Sequence, residues 1–508
     1  MSYRVNVIER DFSGFALPLV SEVGGMVIVS PKGRVDKPIL CQSEKDVITH
    51  FGTPSASYPA LFEAVAFCRE AACYIVSSVG ENALYGGVAI SENTLSGVTE
   101  GIADPDNYTF TDNSYSHILC TTGPWDSNLY VSVVSKGGKK FKATLYELNG
   151  TIYSELRTYD YSLIREKDNF GTSLYYGDVF NEDTYIKFIY NPNTEASDYT
   201  SLSGTAKYKL EGGSRGDTPA SSDISESWKF FQSANKYPVN IFMDVFGNYA
   251  EDLNTLIQTY QPYAQGISVI PKNKTVAQMV SYRNELALDT DDICLYANWT
   301  KIVDPYNNSF AWISNVGSIG RAYARMADVY DGLSPAGINE NNHGGQLSDW
   351  KPVEVELDFS DYDLQTLDEA QINPVILDEI YGLMIYGDKT LQRSLSDTSF
   401  VGTRRLYKLI QKNIIRQILR RQEFKNNDAY HRYKAKAMAE DMLSPIVALQ
   451  LLREVAVVCD ETNNDNIALE QRKFILSIYV KVTPNSQFVI LNFTRLSQTQ
   501  TIAEFLTQ

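Results

Sequence analysis

Apolar and polar positions along the first 90 residues follow the order strand, helix, strand. The segment 24–33 (GGMVIVSPKG) is an apolar run that ends in a Pro-Lys-Gly turn, which indicates a buried strand. Residues 58–72 carry apolar side chains at helical spacing, and residues 73–79 (CYIVSSV) form a second apolar strand. This order of elements predicts an α/β layer.

A long stretch from residue 91 to residue 211 has a different pattern. Helical periodicity disappears, and short runs that alternate between polar and apolar residues take its place. Such runs are typical of strands in β-sandwiches and β-barrels. We therefore predict that 91–211 is an inserted all-β domain. Its clearest strands are LYVSVVS (129–135), FKATLYEL (141–148), TYIKFIY (184–190) and TAKYKL (205–210).

The α/β pattern resumes after residue 220. Apolar strands again alternate with amphipathic helices, which indicates that the chain returns to the layer that it left. We predict an α/β core domain made of residues 19–90 and 212–345. The elements of its second part are the strands 239–246, 266–272 and 293–304 and the helices 249–263 and 276–286.

The C-terminal region is first helical and then β. Residues 404–421 have an apolar stripe along one helix face, and a second helix is predicted at 428–443. Ser444 and Pro445 have the residue types of an N-cap and a first helical position, so we predict that a third helix begins there.

Two further strands, 474–482 and 487–496, enclose a Thr-Pro-Asn-Ser turn and predict a β-hairpin. We assign residues 346–496 to a C-terminal α+β domain that ends in this hairpin. The apolar side chains of the hairpin are Phe474, Ile478, Val480, Phe488, Ile490 and Phe493.

The two chain ends, 1–18 and 497–508, are predicted to be extended arms. Residues 3–9 (YRVNVIE) alternate at strand period, and an isolated terminal strand must pair with a strand elsewhere to satisfy its backbone groups. The fold class is therefore a multidomain α/β protein with an inserted all-β domain, a C-terminal α+β domain and terminal arms. The apolar residues that mark the arms are Tyr3, Val5, Val7, Ile502 and Phe505.

Composition and charge limit the function classes. The 508 residues carry a net charge of −17, so a nucleic acid would be repelled by the average surface. No run of 18 apolar residues could insert into a membrane, and the N-terminus has no apolar signal core, so we expect a protein used without general export. The six cysteines lack metal or redox spacing and are expected to be buried thiols in a reducing compartment.

One short segment, LEGGSRGDTP (210–219), matches two functional patterns. Gly212–Gly216 fits G-x-S-x-G, which offers Ser214 as the nucleophile of a serine hydrolase. The Arg-Gly-Asp at 215–217 is the tripeptide of adhesion ligands. A nucleophile elbow needs a helix directly after the serine, whereas this segment continues as a loop. We interpret it as a glycine joint where the insertion rejoins the core.

Cofactor and metal chemistry finds no support in the sequence. The later histidines, His343 and His431, lie in a turn and on a helix, and no two histidines have zinc-site spacing. There is no phosphate-binding Gly-rich loop, and the glycines of VGSIGRA (316–322) have the wrong spacing for a dinucleotide. We predict a protein with no enzymatic activity, no metal and no cofactor.

A basic tract stands out at 404–436. It holds eleven Lys and Arg against two acidic residues, inside an acidic chain. This concentration of charge indicates a contact with an acidic partner. Such a contact would determine the orientation of the partner more than the affinity for it. The stripe along the first helix consists of Arg404, Lys408, Lys412, Arg416 and Arg420.

The ordered set of motifs resembles the contractile tail sheath proteins of bacteriophages, over nearly the whole chain. No single motif is diagnostic, whereas their order is specific. The segments that carry the resemblance are 3–52, GPWDSNLYVSVV (123–134), LEGGSRG (210–216), 296–341, LQTLDEAQINPVI (364–376), IYGDKTL (385–391), TRRLYKLIQKNI (403–414) and 459–493.

The resemblance implies a structural subunit that polymerises as stacked rings around a rigid tube and contracts when the baseplate triggers it. The expected partners are other copies of the chain, the tail tube protein, and baseplate and tail terminator proteins. The expected location is the virion tail, after assembly in the host cytoplasm. A sheath from a bacterial contractile injection system is an open alternative.

The resemblance also implies roles for the predicted segments. The terminal arms would add strands to the hairpins of neighbouring copies, with Ser13-Gly14 and 497–501 as hinges. The basic stripe would face an acidic tube, and the insertion 91–211 would lie on the outside.

Overall fold

The computed structural model describes residues 22–181, 183–197, 199–329, 334–338 and 344–483. The chain divides into two compact units, one that ends at Arg420 and one that begins at Arg421. The predicted mixed α/β fold with several sheets is confirmed.

The first unit begins with the predicted strand, helix and strand, and adds a short helix between them. Ser43 caps this added helix by accepting a hydrogen bond from the Asp46 N–H. The elements are β1 (Val23–Ile28), β2 (Ile39–Cys41), α1 (Glu44–Phe51), α2 (Ala60–Cys68) and β3 (Ala72–Ser77).

The inserted segment is almost entirely β. Its elements are β4 (Gly87–Ser91), β5 (Leu95–Gly97), β6 (Tyr115–Thr121), β7 (Leu129–Ser135), β8 (Lys140–Asn149), β9 (Ile152–Ser162), α3 (Tyr176–Val179), β10 (Ile186–Tyr190) and β11 (Tyr208–Lys209).

The α/β pattern then resumes, as predicted. The elements are α4 (Ser221–Trp228), β12 (Ile241–Asp244), α5 (Ala250–Tyr260), β13 (Gln265–Val269), α6 (Val276–Glu285), β14 (Ile293–Ala297), β15 (Thr300–Asp304), β16 (Ser309–Ile313) and α7 (Val316–Val329).

The rest of the first unit was expected to form part of a separate C-terminal domain. Its elements are β17 (Pro352–Val355), α8 (Asp361–Glu369), β18 (Ile372–Asp378), β19 (Gly382–Ile385) and α9 (Val401–Ile414), followed by a π-helical turn (Ile415–Leu419) and the short α10 (Arg420–Gln422), which contains the unit boundary.

Eight strands form the central sheet, in the order β19-β18-β14-β13-β12-β1-β3-β2. The six inner strands are parallel, and β2 and β19 run antiparallel at the two edges. Inner strands of this kind are largely apolar because helices cover both faces. Helices α2 and α7 pack on one face, and α4, α5 and α6 pack on the other.

A buried carboxyl group joins the two helices on the first face. Glu63 of α2 accepts hydrogen bonds from the Ser314 hydroxyl (2.9 Å) and from the Gly317 N–H (2.8 Å) at the start of α7. The second bond satisfies one of the donors that a helix N-terminus leaves free. Glycine is required at 317, since a Cβ there would lie 2.0 Å from the Glu63 carbonyl oxygen. Complete burial raises the pKa of Glu63 to about 7.

The insertion is a sandwich of two four-stranded sheets, β10-β6-β4-β5 and β11-β7-β8-β9, which share one apolar core. A neutral histidine lies inside that core. The His117 ring nitrogens are 2.7 Å from the Ser116 hydroxyl and 2.8 Å from the Tyr161 hydroxyl, and burial lowers the pKa of His117 to about 3. His117 is therefore a satisfied core residue.

Three boundaries differ from the sequence prediction. The insertion sheets begin at Gly87 rather than at residue 91, because β4 pairs with β6. The predicted strand 293–304 is two strands, since Asn298 has a φ of +96° and interrupts the extended backbone. The predicted start of a new domain at residue 346 lies inside the first unit, because β18 pairs with β14 and extends the core sheet.

The second unit contains α11 (Ala429–Ala448), β20 (Leu452–Val458), α12 (Asn466–Glu470) and β21 (Ser477–Val482). The prediction of a new helix at Ser444 and Pro445 is wrong, since α11 continues through both residues. Pro445 has no N–H to donate to the carbonyl oxygen of Asp441, and α11 ends three residues later at Ala448.

All six cysteines have free thiols and are buried, as the sequence predicts. None of the described helices is both long and apolar enough to cross a bilayer.

We predict that Glu63→Gln alters the pH dependence of stability. Because the folded-state pKa is raised, the native state holds a proton that the unfolded state has lost between about pH 4.5 and 7. The wild-type chain should therefore lose about 2–3 kcal/mol of unfolding free energy across this window relative to Glu63→Gln. Urea denaturation of both proteins at pH 5 and pH 8 measures the difference, and parallel pH profiles would contradict it.

Candidate assembly interface

The sheet of the second unit is the candidate site for strand addition. Within the described residues it has two antiparallel strands, β20 and β21, with Val455 opposite Val480 and Val457 opposite Ile478. These apolar pairs are buried or half-buried, and α11 packs against β20. Tyr479 lies on the opposite face and is 62% exposed. A two-stranded sheet is marginally stable alone, so a further strand would stabilise it.

The predicted partner strand is only partly testable. The hairpin prediction pairs 474–482 with 487–496, and the second segment lies outside the described residues. The structure instead pairs β21 with β20, a strand that the sequence analysis missed. Phe474, Ile478 and Val480 are half-buried in the chain. The predicted site residues that lie outside the described residues are Phe488, Ile490, Phe493, Tyr3, Val5, Val7, Ile502 and Phe505.

A sequence signal for β20 does exist. The segment LREVAVV (452–458) is rich in valine, which is typical of strands, and its Val455 and Val457 lie two positions apart on one strand face. Strand β20 begins only three residues after the end of α11. Apolar residues so close to a helix can be misassigned to the helix.

The predicted basic stripe lies on α9, and its middle residues face the chain itself. The Lys408 ammonium is 2.5 Å from the Asp292 carboxylate and donates to the Ala264 carbonyl oxygen. The Lys412 ammonium donates to the Asn240 side-chain oxygen at 2.6 Å. These partners directly precede the strands β14, β13 and β12, so α9 lies across the amino ends of the central sheet.

Arg404 belongs to the same cluster. Its guanidinium is 2.9 Å from the Asp292 carboxylate and 3.2 Å from that of Asp291. Burial alone would raise the pKa of Asp292, but the cations of Lys408 and Arg404 outweigh this effect and hold it below its usual value. Burial lowers the pKa of Lys408 to about 8, although Asp292 opposes the shift.

The tube-facing prediction is therefore wrong for two of its five residues. Lys408 is 3% exposed and Lys412 is 7% exposed, so neither can reach a partner. The acidic groups that the tract was expected to meet are supplied by the chain itself. Arg420 is exposed, so its contact with the tube stays a prediction. The side chain of Arg416 lies outside the described residues.

At the glycine joint, the chain segment that enters the insertion pairs with the segment that leaves it. The Leu84 N–H donates to the Ser214 carbonyl oxygen at 2.9 Å, and the Ser214 N–H donates to that of Leu84 at 2.8 Å. Gly212 has a φ of +81°, and a Cβ there would lie 2.1 Å from the Val98 carbonyl oxygen. Glycine is therefore required by a close backbone approach at this position.

Ser214 does not have the surroundings of a nucleophile. Its hydroxyl accepts a 3.2 Å hydrogen bond from the Gly216 N–H, and α4 begins only at Ser221. His343 lies outside the described residues. His431 bonds Asp428 through its Nδ1 atom at 2.8 Å, near the start of α11.

Arg215 is used inside the chain. Its guanidinium donates to the Ser30 carbonyl oxygen at 2.7 Å, to the Ser77 hydroxyl and to the Ser78 carbonyl oxygen at 3.3 Å, all in the core. It also donates to the Pro124 carbonyl oxygen of the insertion at 3.4 Å. Burial lowers the pKa of Arg215 to about 10, so it stays charged at neutral pH. The Arg-Gly-Asp segment thus has its arginine engaged as a clamp between core and insertion.

Metal binding finds no site in the described part of the chain. No three His, Cys, Asp or Glu side chains there are grouped so that they could hold a metal ion.

We predict opposite outcomes for two neighbouring substitutions. Arg215→Ala removes four charge-assisted hydrogen bonds and should lower the unfolding free energy by about 2–4 kcal/mol. Ser214→Ala removes one exposed hydroxyl and should change it by less than about 0.5 kcal/mol. Urea unfolding of both variants tests the clamp, and equal midpoints would contradict it.

A second prediction concerns the buried lysine of α9. Lys408→Met leaves part of the Asp292 charge unpaired and should destabilise the fold by about 2–4 kcal/mol. Lys425→Met, at an exposed position of the same basic tract, should change stability by less than about 0.5 kcal/mol and serves as the control. If both variants unfold at the wild-type midpoint in thermal or urea denaturation, the cluster has no stabilising role.

Comparison with known proteins agrees with this architecture. No family model matches the sequence. The tail sheath protein of Vibrio phage KVP40 is 27% identical over 438 residues, which are 79% of this chain and 60% of the relative. The chain thus spans less than two thirds of the length of this curated relative.

Two solved structures share the fold. The sheath tail protein of Listeria innocua superposes with a TM-score of 0.55 at 9% identity, over 87% of this chain and 89% of that chain. A chain of the anti-feeding prophage baseplate in its contracted state gives a TM-score of 0.53 at 11% identity, over 98% of both chains. The resemblance read from the sequence is confirmed, since the chain is similar to the tail sheath proteins of phages.

Proposed function

We propose that this chain is the structural subunit of a contractile sheath that polymerises around a tail tube. The observation that carries the proposal is the match to a phage tail sheath protein over 79% of the chain. The sheath fold of the Listeria innocua protein supports it independently. On this proposal the protein works by assembly and rearrangement, as a non-enzymatic component of the tail.

Strand addition is the proposed link between copies. The described sheet of the second unit has two strands, and strand edges present backbone N–H and C=O groups that can pair with another chain. The arm 3–9 of one neighbour and the segment 501–505 of another would supply the added strands. Such an arm adds about four to six hydrogen bonds of about 1 kcal/mol each, and the burial of Val5 and Val7 adds more.

Contraction then requires two packings of the same linked lattice. An arm bound by several kcal/mol can stay attached while the subunits rotate, provided that the residues between arm and core act as hinges. Ser13-Gly14 and 497–501 are the proposed hinges. The extended sheath would be held kinetically, through weaker contacts to the tube and between rings, until the baseplate releases it.

The environment follows from the same proposal. The partners would be other copies of the chain, the tube protein, and baseplate and terminator proteins, and the product would be the virion tail, which drives its tube through the host envelope. The insertion would lie on the outer surface, where a polar β-sandwich is appropriate.

A sheath of a bacterial contractile injection system is the second candidate. It is favoured by the fold match to a chain of the contracted anti-feeding prophage baseplate over 98% of both chains. Particles that contain a DNA-filled head would identify the phage assembly, whereas headless particles would identify the injection system.

We predict that the purified full chain forms hollow, striated tubes in negative-stain electron microscopy. A variant without residues 1–12 and 497–508 should fold but form no tubes, because its copies lack the connecting strands. Circular dichroism checks folding, and Ser214→Ala, which should form tubes as the wild type does, is the matched control. Tubes of normal length from the truncated variant would exclude the strand-addition mechanism.

A further inference from the structure

Two exposed surfaces of opposite charge lie on the two units, apart from the sheet and the joint described above. The first, which we term the basic-aromatic surface, lies in the second unit at the start of α11 and in the loop before it. Phe424 is fully exposed (107%), and Tyr430 (66%) and Tyr433 (72%) project from one side of α11. The exposed cations beside them, Arg421, Lys425 and Lys434, outnumber the exposed carboxylates of Glu423 and Asp428, so the surface has a net positive charge.

The backbone at Phe424 indicates a role in binding. Its φ is +62°, a left-handed conformation that is unfavourable for a bulky residue. The loop thus holds an aromatic ring in water in a strained conformation, and within the described part of the chain the ring is not packed against a core. Aromatic residues are enriched at protein interfaces and are frequent among their anchors.

The second surface, which we term the acidic-apolar surface, lies in the first unit. Residues 352–388 contain ten Asp and Glu and no Lys or Arg. Tyr362 at the start of α8 is 77% exposed, and Ile380 in the turn between β18 and β19 is 82% exposed. Asp358, four residues before Tyr362, and Glu379, directly before Ile380, are also exposed.

These residues belong to one region of the molecule. Helix α8 packs against β18, and only Ala370 and Gln371 connect the two elements. The helix and the strand therefore run in opposite directions, so that the start of α8 lies towards the same end as the β18–β19 turn. Asp378 holds this turn by accepting 2.8 Å hydrogen bonds from the Ile380 and Tyr381 N–H groups.

The distribution of charge along the chain indicates which partner binds these surfaces. Residues 421–508 contain ten Lys and Arg and ten Asp and Glu, so the net charge of −17 resides entirely in residues 1–420. A copy of this chain therefore offers an acidic first unit, and its neutral second unit carries a basic, aromatic patch. We infer that the basic-aromatic surface of one copy docks on the acidic-apolar surface of the next copy.

This contact joins different surfaces of identical chains, so it repeats from copy to copy. Contacts of that kind generate rings or open helices, which are the geometries that a sheath requires. The inference rests on the proposed function and adds to it a contact between folded units, independent of the terminal arms. Because the charges lie at the surface, tube formation should weaken as the salt concentration rises.

Charge reversal tests the inference. Lys425→Glu with Lys434→Glu, or Asp358→Lys with Glu379→Lys, places like charges in contact and should raise the critical concentration for tube formation about tenfold, which corresponds to about 1.4 kcal/mol. The quadruple variant restores opposite charges and should return it to within about threefold of the wild type. Arg165→Glu with Lys167→Glu, two exposed cations of the insertion, is the control and should have no effect.

Photo-crosslinking locates the contact directly. A benzophenone side chain at position 424 should crosslink one copy to residues 352–388 of another in wild-type tubes, as identified by mass spectrometry. Tubes that form normally in the charge-reversed variants, a quadruple variant that is not restored, or crosslinks confined to other segments or to a tube protein would overturn the inference and leave the proposed function intact. A chain that forms no tubes under any condition would overturn both.

Discussion

The contact of α9 with Asp292 fixes the last helix of the first unit on the central sheet. Two cations of this helix, Lys408 and Arg404, share one carboxylate at the amino end of β14. Charged groups are buried at a large desolvation cost, which only well-placed partners offset, so displacing this helix would leave buried charges unpaired. The rest of the C-terminal chain starts from that fixed point, since the π-helical turn and the second unit follow directly.

The elements that the sequence predicted well are those whose own pattern determines them. The strand at 129–135 and the helices at 250–260 and 276–285 lie where the periodicity put them, because burial of one face or of both imposes the pattern locally. The missed elements depend on distant partners. Strand β18 contains Asn373 and Pro374 and becomes a core strand only because β14 lies beside it.

The candidate site was harder to predict than the fold. A basic stripe on an amphipathic helix has the same sequence pattern whether its cations face a partner or an internal carboxylate, and Asp292 is more than a hundred residues from Lys408. The reverse holds for Phe424, whose exposure and left-handed backbone have no signature in the sequence. The glycine joint could be predicted, because a cluster of three glycines after a strand is characteristic of close backbone approach.

The clamp of Arg215 has a mechanical consequence for any assembly that this chain forms. One guanidinium is bonded to both the core and the insertion, and the two connections between them are paired as strands. The sandwich therefore cannot rotate freely relative to the core sheet, and the two move as one rigid body. In a larger array, any deformation is then taken up by the contacts between subunits. The energy of the shape change must be stored in the same contacts.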